Sequence, residues 1–246
     1  MLEIQNLCFS IEDSRGKTEI LRNINLTLKD GTFAVLTGPN GGGKTTLAKA
    51  VMGLVQPTSG KILWNGTDIT HLSITERARL GVSYAFQQPP RFKGMTVRDL
   101  LSLAAGKETL TRGEECQYLN RVGLCAGDYI HREVDTSLSG GEVKRIEIAT
   151  LLARHADLMI FDEPEAGIDL WSFARLTDTF HTLHMQNAAT LLVISHQERI
   201  LSLADEIVMI ADGVITAHGP KDEIFPTILA NTAGGCSFFE QEAAHE

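Results

Sequence analysis

The sequence predicts an α/β fold with a parallel sheet at its core, and two observations support this prediction. First, apolar segments of strand length alternate with amphipathic segments of helix length over much of the chain, which is typical of parallel sheets with crossover helices. Second, a glycine-rich loop at residues 38–45 follows the apolar segment 32–37 and leads directly into a helical segment. We also expect an antiparallel β layer ahead of this core and a helical insertion within it.

The antiparallel layer is predicted from the segments on either side of the glycine loop. Apolar segments at 2–10 and 20–28 have the length of short strands and are separated by a polar loop. After the first predicted helix, Asn65-Gly66 follows the segment 61–64, which predicts a hairpin with a type I′ turn.

The stretch 95–134 has helical character. Thr96 with Asp99, and Thr111 with Glu114, have the spacing of capping boxes at the starts of two helices. Around this stretch, strands and helices alternate: a strand at 81–86, helices at 141–154 and 170–185, strands at 158–161 and 191–195, and an antiparallel pair at 207–210 and 214–217. We therefore predict one domain over residues 1–246, made of core segments 1–87 and 136–220, a helical subdomain 88–135 and a loosely held tail 221–246.

Composition and charge exclude several classes of protein. The chain has 246 residues, 43% of them hydrophobic, which is enough for a substantial core. A formal net charge of −9 argues against nucleic acid as a partner, because phosphate contacts need a basic surface. No stretch approaches the ~20 apolar residues of a membrane span, so we expect no direct membrane insertion. The four cysteines form no C-x-x-C pair, which favours a reducing, cytoplasmic location.

The glycine-rich loop has the pattern G-x-x-x-x-G-K-T of a phosphate-binding site. In this pattern backbone N–H groups surround a polyphosphate at a helix N-terminus, where the helix dipole favours anions. Lys44 would reach the terminal phosphates, and the Thr45 hydroxyl would hold Mg²⁺. The predicted binding residues are Gly38, Pro39, Asn40, Gly41, Gly42, Gly43, Lys44, Thr45 and Thr46. The alternative is a glycine-rich turn that precedes a helix and binds nothing.

An acidic pair follows the apolar segment 158–161. Asp162 and Glu163 would lie at the carboxyl edge of the sheet, where open parallel sheets bind their ligands. Asp162 would hold Mg²⁺, directly or through a water, and Glu163 would polarise the attacking water and accept its proton. An Asp-Glu pair is also common at solvated strand ends, so the catalytic interpretation depends on the phosphate loop in the same chain.

A second anion-binding helix end is predicted at residues 138–142, which have the sequence LSGGE. Ser139 and Glu142 have capping-box spacing, and Gly140 and Gly141 leave the helix N-terminus bare. A Ser-Gly-Gly turn on its own carries little information. Its value comes from the order of the motifs along the chain.

That order resembles the ATP-binding cassette (ABC) ATPases over nearly the whole sequence. The series is the phosphate loop, Gln87 after a strand, LSGGE, the acidic pair, Asp169 and His196. The resemblance implies the P-loop NTPase core with an antiparallel layer and a helical subdomain, ATP and Mg²⁺ as ligands, and ATP hydrolysis as the reaction. It also implies an ATP-dependent head-to-tail homodimer, in which LSGGE of one protomer covers the ATP held by the other.

The resemblance implies roles for three further residues. Gln87 resembles the glutamine that contacts Mg²⁺ or the attacking water and senses the helical subdomain, although Gln88 could compete for this role. Asp169 resembles the aspartate of the loop after the acidic pair, and it also has the position of an N-cap. His196 resembles the histidine that contacts the γ-phosphate, whereas a lone histidine at a strand end would ordinarily be a capping residue.

One position departs from the family pattern. ABC ATPases usually stack the adenine on an aromatic residue of the first strand, and this sequence has Ile11 there, while strand alternation places Phe9 in the core. Losing a base stack costs about 1–3 kcal/mol of binding free energy. We therefore expect modest ATP affinity and tolerance of GTP. A strong preference for ATP in competition binding would contradict this expectation.

The partner is predicted from shorter resemblances. Residues 10–13, 138–148 and 194–201 are most similar to the SufC-type ATPases of iron–sulfur cluster assembly, whereas Pro164 is the usual transporter residue. We therefore predict a SufB- or SufD-like soluble scaffold as the partner. The alternative is the transmembrane permease subunit of an importer. In both cases residues 89–95 would form a groove for a helix of the partner.

Three smaller expectations complete the prediction. Glu163 and His196 argue against a binding module that does not hydrolyse nucleotide. The isolated protein should be largely monomeric and should hydrolyse ATP slowly. Cys236, near the C-terminus, could contact a cluster in a complex.

Overall fold

The computed structural model describes residues 1–13, 16–186 and 189–233 and has an α/β architecture. The strands are β1 (Leu2–Asp13), β2 (Gly16–Leu28), β3 (Phe33–Thr37), β4 (Ser59–Trp64), β5 (Thr67–Asp68), β6 (Val82–Ala85), β7 (Phe92–Thr96), β8 (Glu133–Val134), β9 (Leu158–Asp162), β10 (Thr190–Ile194), β11 (Glu206–Ala211) and β12 (Val214–Pro220). The helices are α1 (Lys44–Met52), α2 (Ile74–Arg79), α3 (Val97–Ala105), α4 (Arg112–Arg121), α5 (Ala126–Tyr129), α6 (Gly140–Arg154), α7 (Leu170–Met185), α8 (Glu198–Leu201) and α9 (Lys221–Ala233).

The central sheet has the strand order β12-β11-β3-β10-β9-β6. The strands from β11 to β6 are parallel, and β12 returns antiparallel to β11 across Asp212-Gly213. Every residue of β3, β9 and β10 is buried, as expected for strands covered on both faces. The predicted parallel core is therefore confirmed.

Alternate residues of the central strands divide the core into two clusters. Phe33 and Phe161 face a helical side, where they pack with residues of α3, α4, α6 and α7. Leu36 and Ile160 face the opposite side, where they pack with α1 and an antiparallel sheet of order β2-β1-β4-β5. The carboxyl edge of the central sheet thus lies between a helical layer and a β layer.

The antiparallel sheet confirms the predicted hairpin and lengthens two predicted strands. Asn65 and Gly66 have φ of 50° and 76°, as a type I′ turn requires. Strands β1 and β2 extend past the predicted ends because residues 10–13 pair with residues 16–19. Apart from Ile11 that extension is polar, so it lacks the alternation from which strands are predicted.

The helical stretch contains both predicted capping boxes, Thr96 with Asp99 and Thr111 with Glu114. It also contains β7, which pairs with the two-residue strand β8 and was not expected in a helical stretch. Strands this short have no periodicity that sequence could reveal. None of the helices in the three described ranges is long and apolar enough to cross a membrane.

The described part of the tail differs from the expectation of a loose segment. Helix α9 packs partly buried apolar residues, among them Ile224 and Phe225, against the helical side of the core. Apolar residues three to four positions apart explain this packing. The acidic C-terminal end and Cys236 lie outside the described residues.

Candidate active site

The phosphate loop joins β3 to α1 at the carboxyl edge of the central sheet. Gly43 is the N-cap of α1 with a φ of 108°, and no side chain caps this helix end. Its first N–H groups are therefore left for a ligand. A Cβ atom on Gly42 would lie 2.7 Å from the carbonyl oxygen of Ile210, so the close approach of β11 requires glycine there.

Lys44, the first residue of α1, folds back over the loop. Its side chain is buried, and Nζ donates to the carbonyl oxygens of Gly38 (2.7 Å) and Pro39 (2.9 Å). Burial lowers the pKa of Lys44, and the carboxylates of Glu163 and Asp162 oppose this shift. The two carbonyl bonds hold Nζ over the loop, where phosphate oxygens would bind.

Asp162 ends β9 and receives a hydroxyl on each carboxylate oxygen. It is 1% exposed, Thr45 Oγ1 donates to its Oδ1 (3.0 Å), and the Tyr84 hydroxyl donates to its Oδ2 (2.7 Å). A hydroxyl, a carboxylate and the amide oxygen of Gln87 are hard oxygen ligands, which Mg²⁺ prefers in combination with phosphate and water. The three residues predicted to hold Mg²⁺ therefore fit that ion.

Glu163 follows Asp162 in a left-handed turn. Its φ is 46°, which is uncommon for a residue with a side chain, and its N–H donates to the Ile194 carbonyl (3.1 Å). Its Oε2 accepts a hydrogen bond from Gln87 Nε2 (2.6 Å). The two side chains predicted to act on the attacking water are therefore in direct contact.

His196 follows β10 and lies beside the end of β3. Its Nδ1 is 3.4 Å from Thr37 Oγ1. Desolvation of the ring and the Lys44 ammonium lower the pKa of His196, while Glu163 opposes them. The imidazole is therefore neutral near pH 7, and it can offer one donor and one acceptor.

Many of the predicted residues line one cavity of about 270 Å³ at the phosphate loop. Its lining comprises Ile20, Asn40, Gly41, Gly43, Lys44, Thr45, Thr46, Gln87 and Glu163. Ile20 was missed, because only the folded contact between β2 and the loop brings it there. Ile11, which has the position where the family stacks the adenine, is 49% exposed and is not part of this lining.

The LSGGE motif lies apart from this cavity and forms a rigid helix start. Ser139 and Glu142 make the predicted capping box at the N-terminus of α6. The Tyr129 hydroxyl donates to Glu142 Oε1 (2.6 Å), and this bond together with those from Ser139 lowers the pKa of Glu142 to about 2. Residues 139–142 are not part of the lining of the phosphate-loop cavity.

LSGGE instead contacts the loop that ends at Asp169. A Cβ atom on Gly141 would lie 2.5 Å from the Gly167 carbonyl oxygen. Asp169 caps α7 and accepts from the N–H groups of Trp171 and Ser172, both at 3.0 Å. The chain therefore presents two separate groups of predicted residues, one at the phosphate loop and one at LSGGE and Asp169.

Lys144 and Glu147, on the buried face of α6, were missed. Lys144 is 1% exposed, and its Nζ donates to the carbonyl oxygens of Phe86, Gln87 (3.4 Å) and Asp162 (3.2 Å). Glu147 accepts from the Phe86 N–H (2.9 Å), and burial raises its pKa to about 7. Helix α6 is therefore tied to the strand end that bears Gln87. The available signal was that both residues continue the apolar stripe of the helix.

With this geometry in hand, the chain can be compared with known proteins. A family model described as ABC transporter matches residues 21–166, more than half of the chain. The chain belongs to this family. It is an ATP-binding ABC ATPase that hydrolyses ATP, as the order of its motifs predicted.

Its relatives include transporter subunits. An uncharacterized ABC transporter ATP-binding protein of Methanocaldococcus jannaschii is 39% identical over 217 residues, covering 85% of this chain and 86% of the relative. The sulfate/thiosulfate import ATP-binding protein CysA of Synechocystis sp. is 33% identical over 219 residues, covering 85% of this chain and 59% of CysA. These names do not support the SufC-type assignment, and they favour the transporter alternative.

Solved structures confirm the ABC ATPase fold. A dimeric ATP-binding cassette in a post-hydrolysis state, bound to ADP and Pi, has a TM-score of 0.81 at 22% identity and covers 90% of this chain and 99% of its own. A bacterial Atm1-family ABC exporter with ATP bound has a TM-score of 0.81 at 22% identity and covers 95% of this chain and 42% of its own.

Proposed function

We propose that this ATPase is the nucleotide-binding subunit of a membrane ABC transporter of the importer type. The observation that supports a partner-driven function is a groove of about 740 Å³ beside the strand end that bears Gln87, with apolar and charged side chains in its lining. Its lining includes Phe86, Phe92, Leu100, Leu103 and Val134. The names of the relatives favour a permease as the protein that supplies a helix to this groove.

The site residues divide the chemistry among them. Lys44 and the N–H groups of the phosphate loop would bind the β- and γ-phosphates, while Thr45, Asp162 and Gln87 would hold Mg²⁺. Mg²⁺, when bound, neutralises charge on the phosphates. Glu163 orients the water and accepts its proton at Oε2, and neutral His196 donates to a γ-phosphate oxygen.

A second copy of the chain completes each site. In the proposed head-to-tail dimer, the N-terminus of α6 in one protomer faces the nucleotide held by α1 in the other. Gly140 supports this arrangement, because a Cβ atom there meets no atom of the described residues within 4 Å. The space next to Gly140 is therefore open to a nucleotide and a second protomer.

ATP binding would move the partner through the hydrogen bonds that connect α6 with the groove wall and with Gln87. We infer that residues 88–135 move as a helical subdomain when ATP closes the dimer. Lys144 and Glu147 connect α6 to Phe86 and Gln87, so a displacement of α6 reaches the groove wall and the γ-phosphate side together.

A soluble scaffold is the second candidate for the partner. The similarity of residues 138–148 and 194–201 to SufC-type ATPases favours it. Under this function the same groove receives a helix of a protein without membrane spans.

Affinity capture from detergent-solubilised native cells tests these functions. The tagged protein should retain a partner with membrane spans, and Leu103→Glu in the groove should abolish capture. Met185→Glu is the matched control, because Met185 and Leu103 are 70% and 71% exposed and Met185 is not part of the groove lining. A captured partner without membrane spans would overturn the transporter function in favour of the scaffold. Capture that survives Leu103→Glu would show that the partner does not bind in the groove.

A further inference from the structure

Tyr84 lies next to the metal-binding carboxylate although its strand ends before the site. Strand β6 pairs with β9 so that Tyr84 lies opposite Ile160. Side chains alternate along strands, so Tyr84, Ile160 and Asp162 share one face of the sheet. The phenol spans the diagonal distance to Asp162, and its hydroxyl donates to Oδ2 (2.7 Å).

The hydrogen bond between Tyr84 and Asp162 is buried. Tyr84 is 6% exposed and Asp162 is 1% exposed, so water does not compete for the bond.

Packing holds the ring of Tyr84 in one orientation. It packs edge-to-face against Phe86, with ring centroids 5.0 Å apart and an interplanar angle of 65°. Both rings line the groove proposed for the partner. The position of the hydroxyl is therefore fixed by the same wall that a partner helix would touch.

We propose that Tyr84 is a positioning residue for the metal site. Its hydroxyl holds Oδ2 of Asp162, so that the other oxygen, Oδ1, is presented beside Thr45 for Mg²⁺. Without the hydroxyl, the carboxylate keeps one described side-chain donor and can rotate about its last bond. The metal then binds more weakly, while nucleotide binding without metal is unaffected. This inference rests on the proposed role of Asp162 in holding Mg²⁺.

Equilibrium binding of the fluorescent analogue mant-ATP tests the proposal. Tyr84→Phe keeps the ring and removes the hydroxyl. In Mg²⁺ the variant should bind mant-ATP more tightly than in EDTA, as the wild type does. We expect the Mg²⁺ concentration that gives half of this tightening to rise about tenfold. A tenfold change is the lower end of the range for the loss of an outer-shell partner of a metal site. The Kd for mant-ATP measured in EDTA should stay within about twofold of the wild-type value, because the hydroxyl makes no contact with the phosphate loop.

Tyr118→Phe is the matched control. Tyr118 is also 6% exposed, but its hydroxyl lies 3.4 Å from His155 Nε2, away from the site. This variant should leave both the Mg²⁺ midpoint and the Kd in EDTA unchanged. Thermal unfolding of the two variants shows whether each is folded.

Three outcomes decide the matter. A tenfold rise of the Mg²⁺ midpoint in Tyr84→Phe alone supports the proposal. An unchanged midpoint, or an equal weakening in EDTA and in Mg²⁺, overturns it. Asp162→Asn tests the role of Asp162 separately from the role of Tyr84. An unchanged Mg²⁺ midpoint in Asp162→Asn would overturn the proposed role of Asp162 in holding Mg²⁺. A raised midpoint would support that role, and the result for Tyr84→Phe then decides the role of Tyr84.

Discussion

The N-termini of α1 and α6 differ in what their own chain supplies. At α1, Gly43 is the N-cap and no side chain bonds the free N–H groups. At α6, Ser139 and Glu142 form a capping box that the Tyr129 hydroxyl reinforces. The first helix end is incomplete without a ligand, and the second is ordered without one. The contrast favours an arrangement in which α1 binds the nucleotide of its own chain and α6 is presented to another chain.

The two helices also differ in how they are anchored. The buried cation of α1, Lys44, bonds to carbonyl groups of its own loop. The buried cation of α6, Lys144, bonds to carbonyl groups of two other segments, at Gln87 and Asp162. Thr45 of α1 also bonds to Asp162, so both helices are tied to the end of β9, and α6 is tied in addition to the strand end at Gln87.

The largest expected effect comes from the carboxylate beside α1. Glu163→Gln keeps the size of the side chain and removes the base, and general bases contribute roughly 10²–10⁴-fold to rate. We expect phosphate release to slow by at least about 100-fold, while ATP still binds and an ATP-dependent dimer accumulates in analytical ultracentrifugation.

The exposed Glu198 gives a control for this prediction, and Glu198→Gln should hydrolyse ATP at the wild-type rate. A loss of less than about tenfold in Glu163→Gln would remove Glu163 from the role of base. Failure of this variant to dimerise on ATP, with or without a partner, would count against the dimer.

Gly140 and Gly141, adjacent at the start of α6, should respond differently to substitution by alanine. Alanine at Gly141 would place Cβ 2.5 Å from the Gly167 carbonyl oxygen, and we expect a loss of about 1–3 kcal/mol in the free energy of unfolding. Alanine at Gly140 would place Cβ more than 4 Å from its neighbours in the part of the chain that the structure describes, so stability should change by less than about 0.5 kcal/mol. ATP-dependent dimerisation should nevertheless weaken in Gly140→Ala. Urea unfolding and sedimentation test both statements, and equal effects at the two positions would contradict the contrast.

An effect of similar size is a pH dependence of stability that arises on α6. Burial raises the pKa of Glu147 from 4.5 to about 7, with Lys144, Asp162 and the Phe86 N–H around it. The folded protein therefore binds this proton more tightly than the unfolded chain, and stability falls as pH rises through this window.

Glu147→Gln lacks this titration. As pH rises from the pKa of the unfolded carboxyl group to that of the folded one, the stability of Glu147→Gln relative to the wild type should rise by on the order of 2 kcal/mol. Urea unfolding over a pH series measures the difference. A difference that is the same at every pH would show that Glu147 does not titrate in this range.

The sequence allowed correct predictions where a local pattern determines the structure. The capping box of Ser139 and Glu142, the type I′ turn at Asn65-Gly66 and the parallel core each follow from residues close together in the chain. The residues that were missed depend on contacts between distant segments. Tyr84 reaches Asp162 only through the register of β6 on β9, and Lys144 reaches Gln87 only through the packing of α6.

The partner could not be derived in the same way. Short segments such as 138–148 suggested an assembly ATPase, whereas similarity over 85% of the chain connects it with transporter subunits. Phosphate chemistry fixes the residues at the nucleotide, whereas the groove proposed for the partner has apolar side chains such as Leu103 in its lining, which would accept a helix without specifying its source.

The central claim is that each active site combines α1 of one chain with α6 of another, and a mixing experiment tests it most directly. Lys44→Ala should disable the nucleotide side of a site, and Gly140→Trp should block the other side from a position where an added Cβ atom meets no atom of the described residues within 4 Å. Each variant alone should hydrolyse ATP very slowly. When the two are mixed, mixed dimers contain one site built from an unaltered α1 and an unaltered α6, so phosphate release should return. A mixture as inactive as its components, under conditions where the wild type is active, would contradict the account.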